Sequence, residues 1–189
     1  MYLSELADVQ MGYAFRSRLE HDPNGTVAVI QMKDIDDANL LRSDQAIRVF
    51  LPDGKTHHLL REGDVLFRSR GRSNGAALVR HGIGPAVLSA PLLLIRPHGV
   101  VPDYLCWYIN APATQTQLAT MSEGTSVRMI SAEALKALDV PLPSIAAQQQ
   151  IVHAATLAEQ EQTLLTRITT LREQLTTHTL MTFAHRSEQ

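Results

Sequence analysis

The chain has 189 residues, 44% of them hydrophobic and 19% charged, with a formal net charge of −2 at pH 7. This length fits one ordinary domain plus an appendage, with enough apolar material for a core. The small net charge excludes a protein that coats nucleic acid by bulk electrostatics, and the single cysteine, Cys106, excludes an internal disulfide or a cysteine-based zinc cluster.

The opening MYLSELADVQ carries no basic segment followed by an apolar one, so no signal peptide is expected. TVAVIQMKDI follows the turn signal DPNG and is β-branched and apolar, which predicts a strand. AIRVFL predicts another, ending at PDGK, where Gly54 can take a positive φ. DVLFRSR and AALVR predict strands on either side of the loop GRSNG. AVLSAPLLLIRP reads as buried strand material around Pro91; its apolar run is the longest in the chain and too short to span a membrane. A cytoplasmic location is expected. In PDYLCWYINAP, Tyr104, Leu105, Tyr108 and Ile109 fall at helical spacing and Pro112 marks the end. SAEALKAL predicts a short helix with Ser131 as N-cap and Glu133 in its first turn. Helices and strands mix without βαβ regularity, so residues 1–143 are expected to form one α+β domain.

After Pro143 the texture changes. Residues 144–185 hold neither glycine nor proline and are mostly good helix formers, with Ser144 placed to cap. Residues 144–189 are therefore expected to form a second unit, a helix on the order of 60 Å long at about 1.5 Å per residue. Leu157, Leu164, Ile168, Leu171 and Leu175 follow spacings of 7, 4, 3 and 4, a coiled-coil-type seam that Glu161 interrupts and His178 continues. Such a stripe needs a cover. The helix's own domain is one reading and a partner helix the favoured one. Parallel and antiparallel pairing both fit the pattern.

The cations are unevenly placed. Of the 17 Lys and Arg residues, only Arg167, Arg172 and Arg186 follow residue 143; upstream, every cation but Lys33, Lys55 and Lys136 is arginine. Arg68, Arg70 and Arg72 alternate, so on a strand they would project to one face. Three like charges side by side need an anion, and arginine's planar fork suits phosphate and guanine edges. Arg16 and Arg18 repeat the spacing after GYAF. Ser73 and Asn74 lie in the loop that follows, and Thr125, Ser126 and Arg128 lie in the donor-rich segment EGTSVRMI. Lys33 in QMKDID is a further candidate, with a salt bridge to Asp34 as its alternative. In this reading phosphate contacts fix the register, while arginine to guanine or Asn74 to adenine carries sequence information. Against it, one of the three arginines is expected to pair with an acid such as Glu62 or Asp64. Tyr104, Trp107 and Tyr108 are expected to pack within the fold rather than stack on bases.

No catalytic constellation emerges. His57 and His58 are adjacent, which on a strand points them to opposite sides, and no histidine pair has the helical spacing of a zinc protease. The glycines of GRSNG and HGIG lack a phosphate-cradling lysine, and neither a dinucleotide fingerprint nor an Asn-Pro-Pro-aromatic motif is present. The expectation is a binding module without a metal or cofactor of its own, not an enzyme.

Taken in order, LADVQMGYAFRSR, VAVIQMKDID, LREGDVLFRSRGRSNGAAL, PDYLCWYINAP and EGTSVRMISAEALKALDVPLPSIAAQQQIV, followed by a long helix, resemble the specificity subunit of type I restriction-modification systems over nearly the whole chain. The most telling parts are GDVLFRSRG, YLCWYIN and VPLPSIAAQQQIV. The resemblance implies a mixed-sheet target-recognition domain that reads one half of a split site in double-stranded DNA, then a spacer and docking helix. It also implies a methyltransferase (modification) subunit, which would hold S-adenosylmethionine, and in some systems an endonuclease subunit. That family usually carries two such domains and two such helices. This sequence has one of each and no internal repeat, which implies a half-subunit or a truncated product. A half-subunit would restore the architecture as a homodimer through its tail helices, and its target would be an interrupted palindrome. The alternative is a protein-interaction or regulatory module on the same fold that never reads DNA.

Overall fold

The computed structural model describes residues 1–15, 18–51, 59–71, 74–122 and 129–186. The elements in order are α1 (Leu3–Leu6), β1 (Ala7–Met11), β2 (Val27–Ile30), β3 (Ile47–Val49), β4 (Val65–Phe67), β5 (Ala76–Leu78), β6 (Ala86–Leu88), β7 (Leu93–Pro97), α2 (Pro102–Asn110), α3 (Pro112–Thr120), α4 (Ala132–Lys136) and α5 (Ile145–Arg186). A single 3₁₀ turn, Met32–Asp34, follows β2. The chain divides into two compact units, Met1–Gln149 and Gln150–Gln189.

Two sheets build the first unit. One is antiparallel throughout, in the order β1-β7-β4-β5; the other is mixed, in the order β3-β2-β6, with β2 parallel to β6. The period-2 rule explains the layering. Ala28 and Ile30 of β2, with Ala86 and Leu88 of β6, face Leu66, Ala77 and Leu94 of the larger sheet in one buried cluster. Val27, Val29 and Val87 point the other way and are covered by Phe15, Leu19, Val49, Leu51 and Leu59. On the far face of the larger sheet Val65, Phe67, Leu93 and Ile95 are fully buried, as are Leu105, Ile109 and Leu118 of the helices, and α2 packs on β5. Strands buried on both faces read as continuous apolar runs, which is why VLF, AAL and LLI show no alternation.

The α+β class and the mixed sheet match the sequence reading, and so do the helix at Tyr104–Ile109 and the tail helix. Ser131 caps α4 by accepting from the Ala134 N–H at 3.1 Å, and Ser144 caps α5 by accepting from the Ala147 N–H at 3.3 Å. Three details differ. AVLSAPLLLIRP is two strands in different sheets, because the chain crosses between layers at Ser89–Pro91. α3 has no counterpart in the sequence reading; its PATQTQLAT is threonine-rich and shows no apolar stripe, yet Pro112 both ends α2 and supplies the first residue of α3. The short α1 and β1 are likewise additional, with β1 paired along its length to β7.

The acids beside the arginine stretch are otherwise engaged. Buried Asp64 accepts from Arg96 Nε at 2.8 Å and Nη2 at 2.7 Å, and from the Arg61 N–H at 2.8 Å, while Glu62 meets His81 Nδ1 at 3.1 Å. Of the three arginines expected to offer one partner to an acid such as Glu62 or Asp64, neither Arg68 nor Arg70 pairs with them, because a fork-to-fork bond to Arg96 across β4 and β7 takes Asp64, and Arg72 lies outside the described residues. This carboxylate also raises the pKa of Arg96 above its ordinary value.

Candidate nucleic-acid interface

The β4–β5 connection carries the arginines. β4 ends at Phe67, and burial then alternates: Arg68 is half-buried, Ser69 buried and Arg70 exposed. The Arg68 N–H donates to the Gly75 carbonyl at 2.9 Å, extending the β4–β5 ladder by one step. Ser69 is fixed from two sides, its Oγ donating to the Pro91 carbonyl at 2.5 Å and its carbonyl accepting from the Ile130 N–H at 2.8 Å. Anchored in this way, Arg70 bridges to Met129 in antiparallel fashion and projects outward. Next to it Gly71 has φ +122, a conformation that disfavours any side chain, and a Cβ placed there would lie 3.5 Å from Met32 Cε. Three stretches far apart in sequence thus meet here: the turn bearing Lys33, the Arg68–Gly71 segment, and the residues that follow Arg128.

Arg68 has a different role from Arg70. Its Nη2 donates to the Asp36 carbonyl at 2.7 Å and to Asn39 Oδ1 at 2.8 Å, and its Nε is buried without a partner. The guanidinium braces the turn at 36–39. Asn39, in the left-handed region at φ 58, donates from Nδ2 to Asn110 Oδ1 at 3.2 Å. Asn110, at the end of α2, clamps the backbone of Ala76: its Nδ2 donates to the Ala76 carbonyl at 2.8 Å and its Oδ1 accepts from the Ala76 N–H at 2.9 Å. Asn74 donates to the Arg68 carbonyl at 3.0 Å, and Gln115 of α3 donates to the Asn74 carbonyl at 3.0 Å. Gly75 is required by close approach, since a Cβ there would lie 1.9 Å from Asn39 Oδ1, an atom held by its other bonds. A chain of amides therefore holds the loop by both flanks. Asn39→Ala removes the acceptor of a charged donor, so it should cost about 1–2 kcal/mol of unfolding free energy, read by urea denaturation.

Asn39, Asn110 and Gln115 were not among the sequence candidates. A signal existed for one of them, because Asn110 closes YLCWYIN, a stretch that carries the family resemblance. Two of the three aromatic residues of that stretch are tied into the fold, while Trp107 is exposed beside Tyr104 at 5.7 Å between ring centroids. The Tyr104 and Tyr108 hydroxyls donate to the Pro141 and Asp139 carbonyls at 2.8 and 3.0 Å, tying α2 to the segment that leads into α5.

The remaining candidates are dispersed. Lys33 is exposed and its Nζ donates to Asp34 at 2.7 Å, the salt bridge weighed above. Arg18 is exposed on the segment whose Phe15 and Leu19 cover the outer face of the β3-β2-β6 sheet, and nothing among the described residues joins it to Arg70. Arg16, Arg72, Ser73, Thr125, Ser126 and Arg128 lie outside the described residues.

The turn at 36–42 is closed around its own carboxylate. The Leu40 N–H, with the Arg42 guanidinium and the Ala38 N–H, holds the Asp36 carboxyl below its ordinary range. Burial pushes the Cys106 thiol up to about 12, so at neutral pH it stays protonated and offers no nucleophile. Among the described residues no three metal-ligating side chains gather, and no helix is long and apolar enough to cross a membrane.

On α5 the seam is bare in the chain itself: Leu157, Leu164, Ile168, Leu171 and Leu175 are between 45% and 66% exposed. Threonine is frequent along this helix, and Thr156, Thr163, Thr166, Thr169, Thr170, Thr179 and Thr182 each return a hydroxyl to the carbonyl four residues back. Threonine is a mediocre helix former, so a helix of this composition depends on its apolar face being covered.

Two sheets and a long terminal helix form a fold that this chain shares with solved subunits of type I restriction-modification systems. The chain matches the HsdS subunit from Thermoanaerobacter tengcongensis with a TM-score of 0.67 at 22% identity, over 88% of this chain and 38% of that one. A chain from a structure on complex assembly and conformational transition of the type I R-M system matches with a TM-score of 0.71 at 21% identity, over 88% of this chain and 39% of that one. The S subunit of M. genitalium matches with a TM-score of 0.58 at 13% identity, over 85% of this chain and 38% of that one. At these identities the likeness concerns the fold, and the chain spans about two-fifths of the length of the proteins it resembles. No curated protein sequence matches it significantly. Sequence carries the assignment further: the model of the type I restriction modification DNA specificity domain matches residues 1–175, and the chain belongs to that family.

Proposed function

We propose that residues 1–143 read one half of a split DNA site through the surface around Arg70, and that the helix of residues 144–189 joins the chain to a second copy and to a methyltransferase subunit. The observation that carries this reading is the anchoring of Arg70, an exposed guanidinium set on a segment pinned by Ser69, Met129 and the Asn39–Asn110 amides. A rigid platform with one projecting fork is what base recognition needs, because a wandering arginine meets any phosphate equally well. Lys33 and Arg18, with Arg16, Arg72, Ser73, Thr125, Ser126 and Arg128 from the neighbouring segments, would supply further phosphate or base contacts. Arg68 and Asn74 support the loop and contribute through it. S-adenosylmethionine would bind the methyltransferase subunit, and this chain would supply no reacting group to the transfer. An endonuclease subunit would join through that complex.

The test uses the full chain with and without its methyltransferase subunit. Methylated adenines mapped in the host genome give the target, and fluorescence anisotropy then follows binding to target and scrambled duplexes as salt rises. Preference for the target by tenfold or more, with log affinity falling linearly in log salt, is the expected result. Equal binding of both duplexes, or none with the methyltransferase present, would leave the reading of a protein-interaction or regulatory module.

A further inference from the structure

The tail seam contains two polar interruptions and two flanking arginines, and together they select how a second copy lies on it. With Leu157, Leu164 and Leu171 at d positions and Ile168 and Leu175 at a, Glu161 takes an a position and His178 a d position. All of these side chains are exposed on α5. In a parallel pair, like positions face each other, so Glu161 would meet Glu161 of the second copy within the seam. Arg167, at g, would also lie beside Arg172, at e of the next heptad, on both flanks. Each is a like-charge contact in a dehydrating interface.

In an antiparallel pair a faces d, and one register resolves every one of these conflicts. When Ile168 faces Leu171 of the second copy, Leu164 faces Leu175, and Glu161 faces His178. Arg167 then lies beside Gln174, and Arg172 beside Leu165, whose apolar surface suits the arginine stem. Sliding by one heptad in either direction sets Glu161 against Leu171 or His178 against Ile168. Both moves bury a polar group against an aliphatic one. The two departures from an apolar seam are thus complementary to one another.

We propose that α5 binds a second copy of this chain antiparallel, in the register that sets Glu161 of each copy against His178 of the other. The inference rests on the homodimer reading above and specifies its geometry. The two residues cannot meet within one helix, since 17 positions at about 1.5 Å each separate them by about 25 Å. Any coupling between them must therefore act between copies.

Sedimentation equilibrium of the full chain at pH 6 and low salt tests this with E161K, H178E and the double variant, with circular dichroism checking that each keeps its helix content. Each single change places like charges together twice per dimer and should weaken self-association at least about tenfold. The double variant, which restores opposite charges in trans, should return to within about threefold of the unchanged chain. A parallel pair gives no such rescue, because each residue then faces its own counterpart: the unchanged chain already sets Glu161 against Glu161, and the double variant keeps like charges at both levels and stays as weak as the single ones. That outcome, or single variants as strong as the unchanged chain, overturns the register while leaving the dimer. An unchanged chain that stays monomeric at tens of micromolar and pairs only with the methyltransferase subunit overturns the homodimer reading itself, and the register with it.

Discussion

Replacing Arg70 with alanine is expected to lower affinity for the target duplex by about 1–3 kcal/mol, roughly 5- to 150-fold. The size follows from what the side chain can do. A bidentate guanidinium on a guanine edge is worth about that much discrimination, whereas a phosphate contact is worth less and is sequence-blind. Salt separates the two. Loss of a phosphate contact weakens all duplexes alike and reduces the salt slope by about one, while loss of a base contact narrows the gap between target and scrambled duplex and leaves the slope nearly intact. A guanidinium set on an anchored segment should give the second pattern. Arg70 is held by a backbone bridge to Met129, and its side chain makes no hydrogen bond among the described residues, so Arg70→Ala should keep its thermal midpoint. An unchanged affinity and slope in R70A would remove this surface from the interface.

The arginine stretch shows how far sequence could lead. Alternation of Arg68, Arg70 and Arg72 suggested one cationic face, and regular strand geometry supports that only up to Phe67. Beyond it, tertiary contacts decide. Arg68 is drawn in by the carbonyl of Asp36 and the amide of Asn39, a residue 29 positions away that no periodicity connects to it. The tail was more legible because helix, seam and cap are local properties: Ser144, the absence of glycine and proline, and the Leu157–Leu175 spacing all lie along one continuous element. The layered sheets were less so. Fully buried strands lose the period-2 signal, and in AVLSAPLLLIRP Pro91 marked an interruption but not that the pieces on either side of it belong to different sheets. Asn39 and Asn110 escaped for the same reason as Arg68, since an amide that clamps a distant backbone looks in sequence like any turn or helix-end asparagine.

The larger effect is expected on the tail. Leu164→Asp with Leu171→Asp should convert the chain from dimer to monomer throughout the micromolar range. In a symmetric pair the two substitutions alter four seam positions, each worth about 1.5–3 kcal/mol when buried. The loss is on the order of 6 kcal/mol or more, beyond what Ile168 and Leu175 can recover. Because threonine-rich sequence holds a helix poorly without a covered face, far-ultraviolet ellipticity should fall together with the mass. DNA binding would follow. In the proposed dimer two recognition domains joined by their tails would engage two half-sites at once, and separating them would remove the effective-concentration gain, so affinity for an interrupted palindrome should drop to that for a single half-site. Affinity for an isolated half-site should not change, because the arginine loop lies in the other unit. A double-aspartate chain that still sediments as a dimer would place the contact somewhere other than this seam. One that becomes monomeric yet keeps full affinity for the palindrome would show that recognition never used two copies.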